Sequence, residues 1–333
     1  MRNMPRMIAI TSGKGGIGKS SFVLNVGISL AKMEFRVLLV DGDLGLANLD
    51  ILMGIMPQKS LEDAILDRAE LKDIILPTDY KIKLLPASSG LVDMADLPEE
   101  RIFRLVGDLI EVSKDMDFIL VDTTSGMASN LISFLIAVPE VIVGINPEPT
   151  SLTETYGLIK TLKSNVYGGK ISVFSSMVDD YAAGHALFKK ISSASQRFLD
   201  TQIEYVGPVC NDERLHMAIA EQVPVVVRFP TSDIARCYRV IATTLLAHEP
   251  QPINIERFWA RFIHMVRDIT RPQIMKEISF DVEQVKENSL EKTMDAILEE
   301  QRRTRLLLER LLFLMEGTQR IKRDDPFDKL LDS

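Results

Sequence analysis

Apolar positions along this chain alternate between two periods. Met7-Ile-Ala-Ile-Thr-Ser12 is a short, continuous apolar run of β-forming character. The stretch over 21–33 then places Phe22, Val23, Val26, Leu30 and Met33 at helical spacing. The alternation recurs, and further strands are predicted over 36–41, 82–86, 118–122, 141–145, 170–175 and 203–209. Short strands separated by helical stretches define an α/β class, a doubly wound and mostly parallel sheet covered on both faces. In such sheets ligands bind beyond the carboxyl ends of the strands.

A helix is predicted over 233–247, after which Glu249-Pro-Gln-Pro252 breaks the pattern. From Ile255 onward the periodicity is helical, with no strand candidates. Ile255, Phe258, Trp259, Phe262, Ile263 and Val266 form one stripe, suited to packing on the preceding domain or on the rest of the tail. The expected division is one α/β domain over 1–249 and a helical extension over 250–333.

At 333 residues, with 46% hydrophobic and 26% charged, the composition is that of a soluble globular protein. No run approaches the roughly 18 apolar residues of a membrane span. The first strand begins too early to leave room for a signal peptide, so a cytoplasmic location is expected. Cys210 and Cys237 form no Cys-x-x-Cys pair and are expected to be reduced and structural. The net charge of −8 argues against general nucleic-acid coating.

Residues 13–20 read Gly-Lys-Gly-Gly-Ile-Gly-Lys-Ser between a strand and a helix, the context that a phosphate-binding loop requires. The candidate binding set is Gly13, Lys14, Gly15, Gly16, Ile17, Gly18, Lys19, Ser20 and Ser21. Glycines let backbone N–H groups turn inward, Lys19 suits the β- and γ-phosphates, and Ser20 suits magnesium. By spacing alone Lys14 is either a solvated loop lysine or an additional phosphate ligand. Asp41 and Asp43, two apart at a strand end, fit a magnesium–phosphate site in which one holds a metal-bound water and the other orients the attacking water. They fit an acidic, capped turn as well. Asp122 ends an apolar strand, where a carboxylate for the magnesium shell belongs.

The run Lys14-Gly-Gly-Ile-Gly-Lys-Ser20 resembles the deviant Walker A motif of the MinD/ParA class of dimerising ATPases, within the SIMIBI P-loop NTPases. The resemblance implies ATP with Mg²⁺, and a Lys14 that reaches across a dimer to the other subunit's phosphates. Asp41-Gly-Asp-Leu-Gly-Leu-Ala-Asn-Leu-Asp50, followed by Leu52-Met-Gly54, resembles switch I of the MinD/FlhG branch. It implies that Asp43 orients the water, that Asp41 supports the magnesium shell and that Asn48 lies near the dimer face. Gly126 matches the switch II glycine whose N–H senses the γ-phosphate. Asn146-Pro-Glu-Pro-Thr150 and Phe229-Pro-Thr-Ser-Asp233 resemble segments of the flagellar regulators FlhG (FleN, YlxH), so that the likeness covers about 7–247.

The chain departs from that pattern in three places. It has Thr123-Thr-Ser125 for Thr-Gly-Ala, Ser175-Ser176 where an adenine-reading Asn is usual, and Cys210-Asn-Asp212 for Pro-x-Asp. The partners implied are a second copy of the chain on ATP binding and an FlhF-like GTPase or other polar protein, although no Asp-Gln-Ala segment precedes Met7.

Residues 301–323 hold seven positive and two negative side chains, a net of +5, with Leu307, Leu308, Leu311, Leu312, Leu314 and Met315 on one broad helical face. Such a helix suits an anionic membrane surface, and FlhG and MinD proteins end in one. Val282, Val285, Met294, Ile297 and Leu298 extend the apolar pattern upstream, which equally suits a hairpin or coiled coil buried in protein. The function expected is an ATP-dependent dimerising switch ATPase that regulates the number or placement of flagella or another polar machine, peripheral on the inner membrane when its tail is engaged. The alternatives are a ParA-like DNA or cargo-segregation ATPase and an ATP-binding scaffold with little turnover.

Overall fold

The computed structural model describes residues 4–43, 48–65, 68–86 and 99–269. Its strands are β1 (Arg6–Ser12), β2 (Val37–Gly42), β3 (Leu76–Pro77), β4 (Ile82–Leu85), β5 (Phe118–Thr123), β6 (Glu140–Ile145), β7 (Lys170–Val178) and β8 (Glu204–Cys210). They form one sheet in the order β3-β4-β2-β5-β1-β6-β7-β8, parallel except for the β3–β4 edge. The edge strand is absent from the sequence reading because two residues that include Pro77 carry no strand periodicity.

The helices are α1 (Lys19–Lys32), α2 (Leu49–Leu52), α3 (Leu61–Ile65), α4 (Leu71–Ile74), α5 (Glu99–Ser113), α6 (Ser129–Leu135), α7 (Pro149–Ser164), α8 (Tyr181–Leu199), α9 (Glu213–Ala220), α10 (Val225–Arg228), α11 (Asp233–Ala247) and α12 (Ile255–Ile269). Every residue of β1, β2, β5 and β6 is buried, which explains why these strands read as unbroken apolar runs rather than alternating ones. Alternate strand residues feed two cores. Met7 and Ala9 join α5, α6, α7, α8 and α12, while Ile8 and Ile10 join α1, α10 and α11.

Chain order makes β1 the switch point of the sheet. After β1 the chain crosses β5's position to reach β2, and later it returns to build β6, β7 and β8 on the other side. The loop leaving β1 therefore opens into the crevice that such a reversal creates. In the β2–β5 pairing Asp41 lies opposite Asp122 and Gly42 opposite Thr123, so parallel register brings the two strand-ending aspartates side by side.

Of the two partners that the sequence leaves open for the aromatic stripe after Ile255, the domain is the one observed. Phe258, Trp259 and Phe262 on α12 are fully buried. Phe134 of α6 meets the Phe258 and Phe262 rings at 5.4 and 5.7 Å between centroids. The Trp259 indole N–H donates to Ser113 Oγ at the end of α5 (2.9 Å), which satisfies the polar atom that burial of Trp would otherwise strand. All described residues belong to one compact unit. The basic helix expected over 301–323 and the upstream apolar positions lie outside the described residues, as do Leu44 to Ala47 of the switch I match.

At the end of the sheet opposite the loop, Arg6 and Glu140 form a two-pronged ion pair. Arg6 Nε and Nη2 donate to Glu140 Oε1 and Oε2 at 2.7 and 2.6 Å, with both side chains nearly inaccessible. Arg6 also donates to the carbonyls of Leu245 and His248, and the Gln251 N–H donates to Glu140 Oε1. The pair thus fastens the connection from α11 to α12 beneath β1 and β6. Removing one partner leaves a buried charge alone, so Glu140→Ala is expected to lower stability by about 3–5 kcal/mol in urea unfolding, with much of the loss recovered in the apolar pair Arg6→Met, Glu140→Leu.

Candidate functional site

The loop between β1 and α1 is shaped by glycines at the positions where other residues would be strained. Gly16 and Gly18 have φ of +78° and +87°, and Gly18 caps α1. Gly13 is required by close approach, since a Cβ there would sit 2.6 Å from Glu154 of α7. Ile17 is fully buried and anchors the loop to the sheet beside Gly144. Ser20 and Ser21 follow on the first turn of α1, so the loop presents a helix amino terminus and its N–H groups to the crevice, a natural anion site.

Lys19, Asp41, Asp43 and Asp122 converge there. Lys19 is 8% exposed, and burial lowers its pKa against the opposing pull of Asp122 and Asp43. Asp41 accepts N–H bonds from Asp43, Asn48 and Leu49 at 3.1, 3.0 and 3.2 Å. Burial nevertheless pushes its carboxyl up to about 6, the three N–H bonds opposing the rise. Asp122 is 1% exposed and pushed up to about 7, chiefly by burial, with Asp41 and Asp43 adding to the rise. Ser20 and Lys19 oppose that rise, yet neither makes a well-formed hydrogen bond to the carboxylate, and both Asp122 oxygens are unpartnered among the described residues. Among the described residues no three acidic or imidazole side chains gather as a metal cluster, and Asp41 spends both oxygens on N–H bonds; what fits a hard divalent cation is the unsatisfied Asp122 carboxylate beside the Ser20 hydroxyl, with phosphate oxygens completing the set.

The structure places Lys14 elsewhere. Its ammonium pairs with the Glu148 carboxylate at the start of α7 and lies 3.3 Å from Thr150 Oγ1. Glu148 is held on its other oxygen by Asn146 Nδ2 (3.1 Å), and Lys14 first, then Asn146, keeps its pKa below the usual carboxylate range. Gly126 has φ +102°, and its N–H donates to the Ser12 carbonyl (2.9 Å). Asn48 precedes α2 without a side-chain cap bond, and its own N–H is tied to Asp41.

Sequence reasoning missed Glu148 and Thr150 as partners of Lys14. The sequence marks this segment by its resemblance to flagellar regulators; in the fold Pro149 opens α7, and the 134 residues between Lys14 and Glu148 hide the contact. Ser175 and Ser176, the positions without the usual Asn, are buried, and Ser175 Oγ is 2.6 Å from the Tyr205 hydroxyl. Cys210 and Cys237 are free, with sulfurs 3.7 Å apart. Burial, and then Cys237, raise the Cys210 thiol to about 12, which keeps it protonated.

With this geometry in hand, the family described as an AAA domain matches residues 5–167. The antiactivator FleN of Pseudomonas aeruginosa is 35% identical over 237 residues, covering 71% of this chain and 85% of that protein. The flagellum site-determining protein YlxH of Helicobacter pylori is 30% identical over 218 residues, covering 65% and 74%. The chain belongs to the FleN/YlxH branch of the MinD/ParA ATPases. Among solved structures, the septum site-determining protein MinD of Pyrococcus horikoshii, complexed with Mg-ADP, superimposes with a TM-score of 0.60 at 25% identity over 73% of this chain and 98% of that one.

Membership in the MinD/ParA ATPases accounts for the phosphate-binding loop and the sheet order. No helix among the described residues is long and apolar enough to cross a membrane.

The raised carboxyl of Asp122 sets a pH dependence in the nucleotide-free protein. A folded pKa near 7 against an ordinary 3.8 means that Asp122 favours folding most below about pH 4 and loses that contribution as pH rises through 7. Wild type should therefore lose stability from about pH 4 to about pH 7 relative to Asp122→Asn, whose thermal unfolding lacks this component; parallel pH profiles for the two proteins would contradict the assignment.

Proposed function

We propose that this ATPase is a switch that dimerises on binding ATP with Mg²⁺ and regulates the number or placement of flagella. The observation that carries this reading is the pair of lysines in one phosphate-binding loop. Lys19 is buried against Asp122 and Asp43, whereas Lys14 lies at the loop's front, where its partially exposed ammonium is able to leave Glu148 for another subunit. The flagellar names of its FleN and YlxH relatives support the biological role, and the Mg-ADP complex of the MinD neighbour supports the cofactors.

The roles follow from position. Backbone N–H groups of Gly13 to Ser21 would hold the phosphates, with Lys19 on the β- and γ-phosphates and Lys14 reaching the partner's nucleotide. Ser20, Asp41 and Asp122 would hold Mg²⁺, which when bound neutralises charge on the phosphate oxygens. Asp43 would orient the attacking water by accepting its hydrogen bond, and Gly126 would exchange Ser12 for the γ-phosphate. Such an exchange gives switch II two positions set by the nucleotide.

Partners in this reading are a second copy of the chain, an FlhF-like or other polar protein, and an anionic membrane surface through the basic 301–323 segment. Nucleic acid fits less well. Arg214, Arg228 and Arg236 on α9, α10 and α11 are each paired with a carboxylate, on Asp212, Glu221 and Asp233.

Solution mass and phosphate release with ATP·Mg²⁺ test the reading. Wild type is expected to become a dimer, Lys14→Ala to remain monomeric, and Asp43→Ala to accumulate as a dimer with turnover lower by about 10²-fold or more. A wild-type protein that stays monomeric with ATP would remove the dimer switch, and a dimer without phosphate release would make it a scaffold. Retention of the Asp43→Ala dimer on anionic liposomes, lost when 301–323 is deleted, is the outcome expected of the tail.

A further inference from the structure

Gly42 separates the two aspartates of the β2 end, and its surroundings are tighter than the motif requires. A Cβ at Gly42 would lie 2.7 Å from the Asp122 carbonyl oxygen on one side, and 3.4 Å from both Met265 Cε and Phe262 Cε2 of α12 on the other. Both α12 side chains are essentially inaccessible. The strand end between Asp41 and Asp43 therefore lies hard against β5, and Phe262 and Met265, from a helix more than two hundred residues away in sequence, line the remaining space beside Gly42. The Phe262 ring also packs against Phe134 of α6, with centroids 5.7 Å apart, and Arg261 Nη1 donates to Ser133 Oγ of the same helix (2.9 Å). Helix α6 begins three residues after Gly126. One helix thus bears on the strand end carrying Asp43 and on the helix that follows Gly126.

We infer that Phe262 and Met265 are positioning residues for hydrolysis, holding Gly42 and thereby the carboxylate of Asp43 at its working place. The inference rests on the reading of Asp43 as the residue that orients the attacking water. Neither α12 side chain is part of the phosphate-binding loop, so their influence falls on turnover rather than on nucleotide affinity. Packed interiors transmit such displacements because they are dense and resist small shifts. Misplacement of a catalytic group by an ångström is sufficient to slow a reaction severely.

The test uses the full chain and measures phosphate release, equilibrium binding of ATP·Mg²⁺ and thermal unfolding in parallel. Met265→Ala is expected to slow turnover by about tenfold or more while ATP affinity stays at the wild-type value. Met265→Leu, which restores most of the volume, should recover turnover, and Phe262→Leu should behave like Met265→Ala. Ser113→Ala removes the hydrogen bond to Trp259 but leaves every ring of α12 in place beside Phe262, and should lower thermal stability while leaving turnover unchanged. In an Asp43→Ala background Met265→Ala should have no further effect. Wild-type turnover in both Met265→Ala and Phe262→Leu, or equal slowing by Ser113→Ala, would overturn the inference. Wild-type turnover in Asp43→Ala would instead overturn the reading of Asp43 on which it rests.

Discussion

Charge held out of water is the constraint around which this structure is organised. Lys19, Asp41 and Asp122 are nearly inaccessible at the carboxyl ends of buried strands, and desolvation dominates the pKa of each. A sheet covered on both faces is what makes such burial available, and its parallel register is what sets Asp41 beside Asp122. The arrangement is unfavourable for the empty protein, since unpaired buried carboxylates resist ionisation. In the proposed reading it would become favourable when a cation and phosphates arrive, and that difference would link occupancy of the site to conformation.

Close approach is the means by which the charges are held. Gly13 touches α7, Gly42 is enclosed by β5 and α12, and Gly144 lies against Ile17 and Phe174. At each point a side chain on the glycine would force backbone or ring apart. The loop is consequently seated on the sheet and on α7, while the β2 end is seated on α12. The opposite end of the sheet is fixed by the Arg6–Glu140 pair, which secures the connection leading into α12. Local strength thus sits at both ends of the strands, and the helix connecting to the tail is tied to each.

Lys14, proposed to serve two arrangements, has the contact such a role requires in the one observed. In the single chain its charge is met by Glu148, itself braced by Asn146. The pair is partly exposed, so its contribution to stability is small and its rupture is inexpensive. That is the property required of a contact exchanged for one across a dimer, whereas a deeply buried pair such as Arg6–Glu140 would resist exchange.

Much of the candidate nucleotide site is legible along the chain because each part is local. The strand–loop–helix of residues 7–33, the paired aspartates at 41 and 43 and the strand ending at Asp122 are fixed by neighbours within a few residues, and hydrophobic period identifies the elements that carry them. The helix predicted over 233–247 coincides with α11 for the same reason, with Ser232 accepting the Ala235 N–H as its cap. What tertiary structure alone decided are the contacts between segments far apart in sequence: Lys14 with Glu148, Gly42 with Phe262 and Met265, and the side of the molecule on which the Trp259 stripe is buried. Periodicity shows that a helix has an apolar face, but the partner of that face depends on sheet order and crossover, which place distant residues together without leaving a signal near either of them.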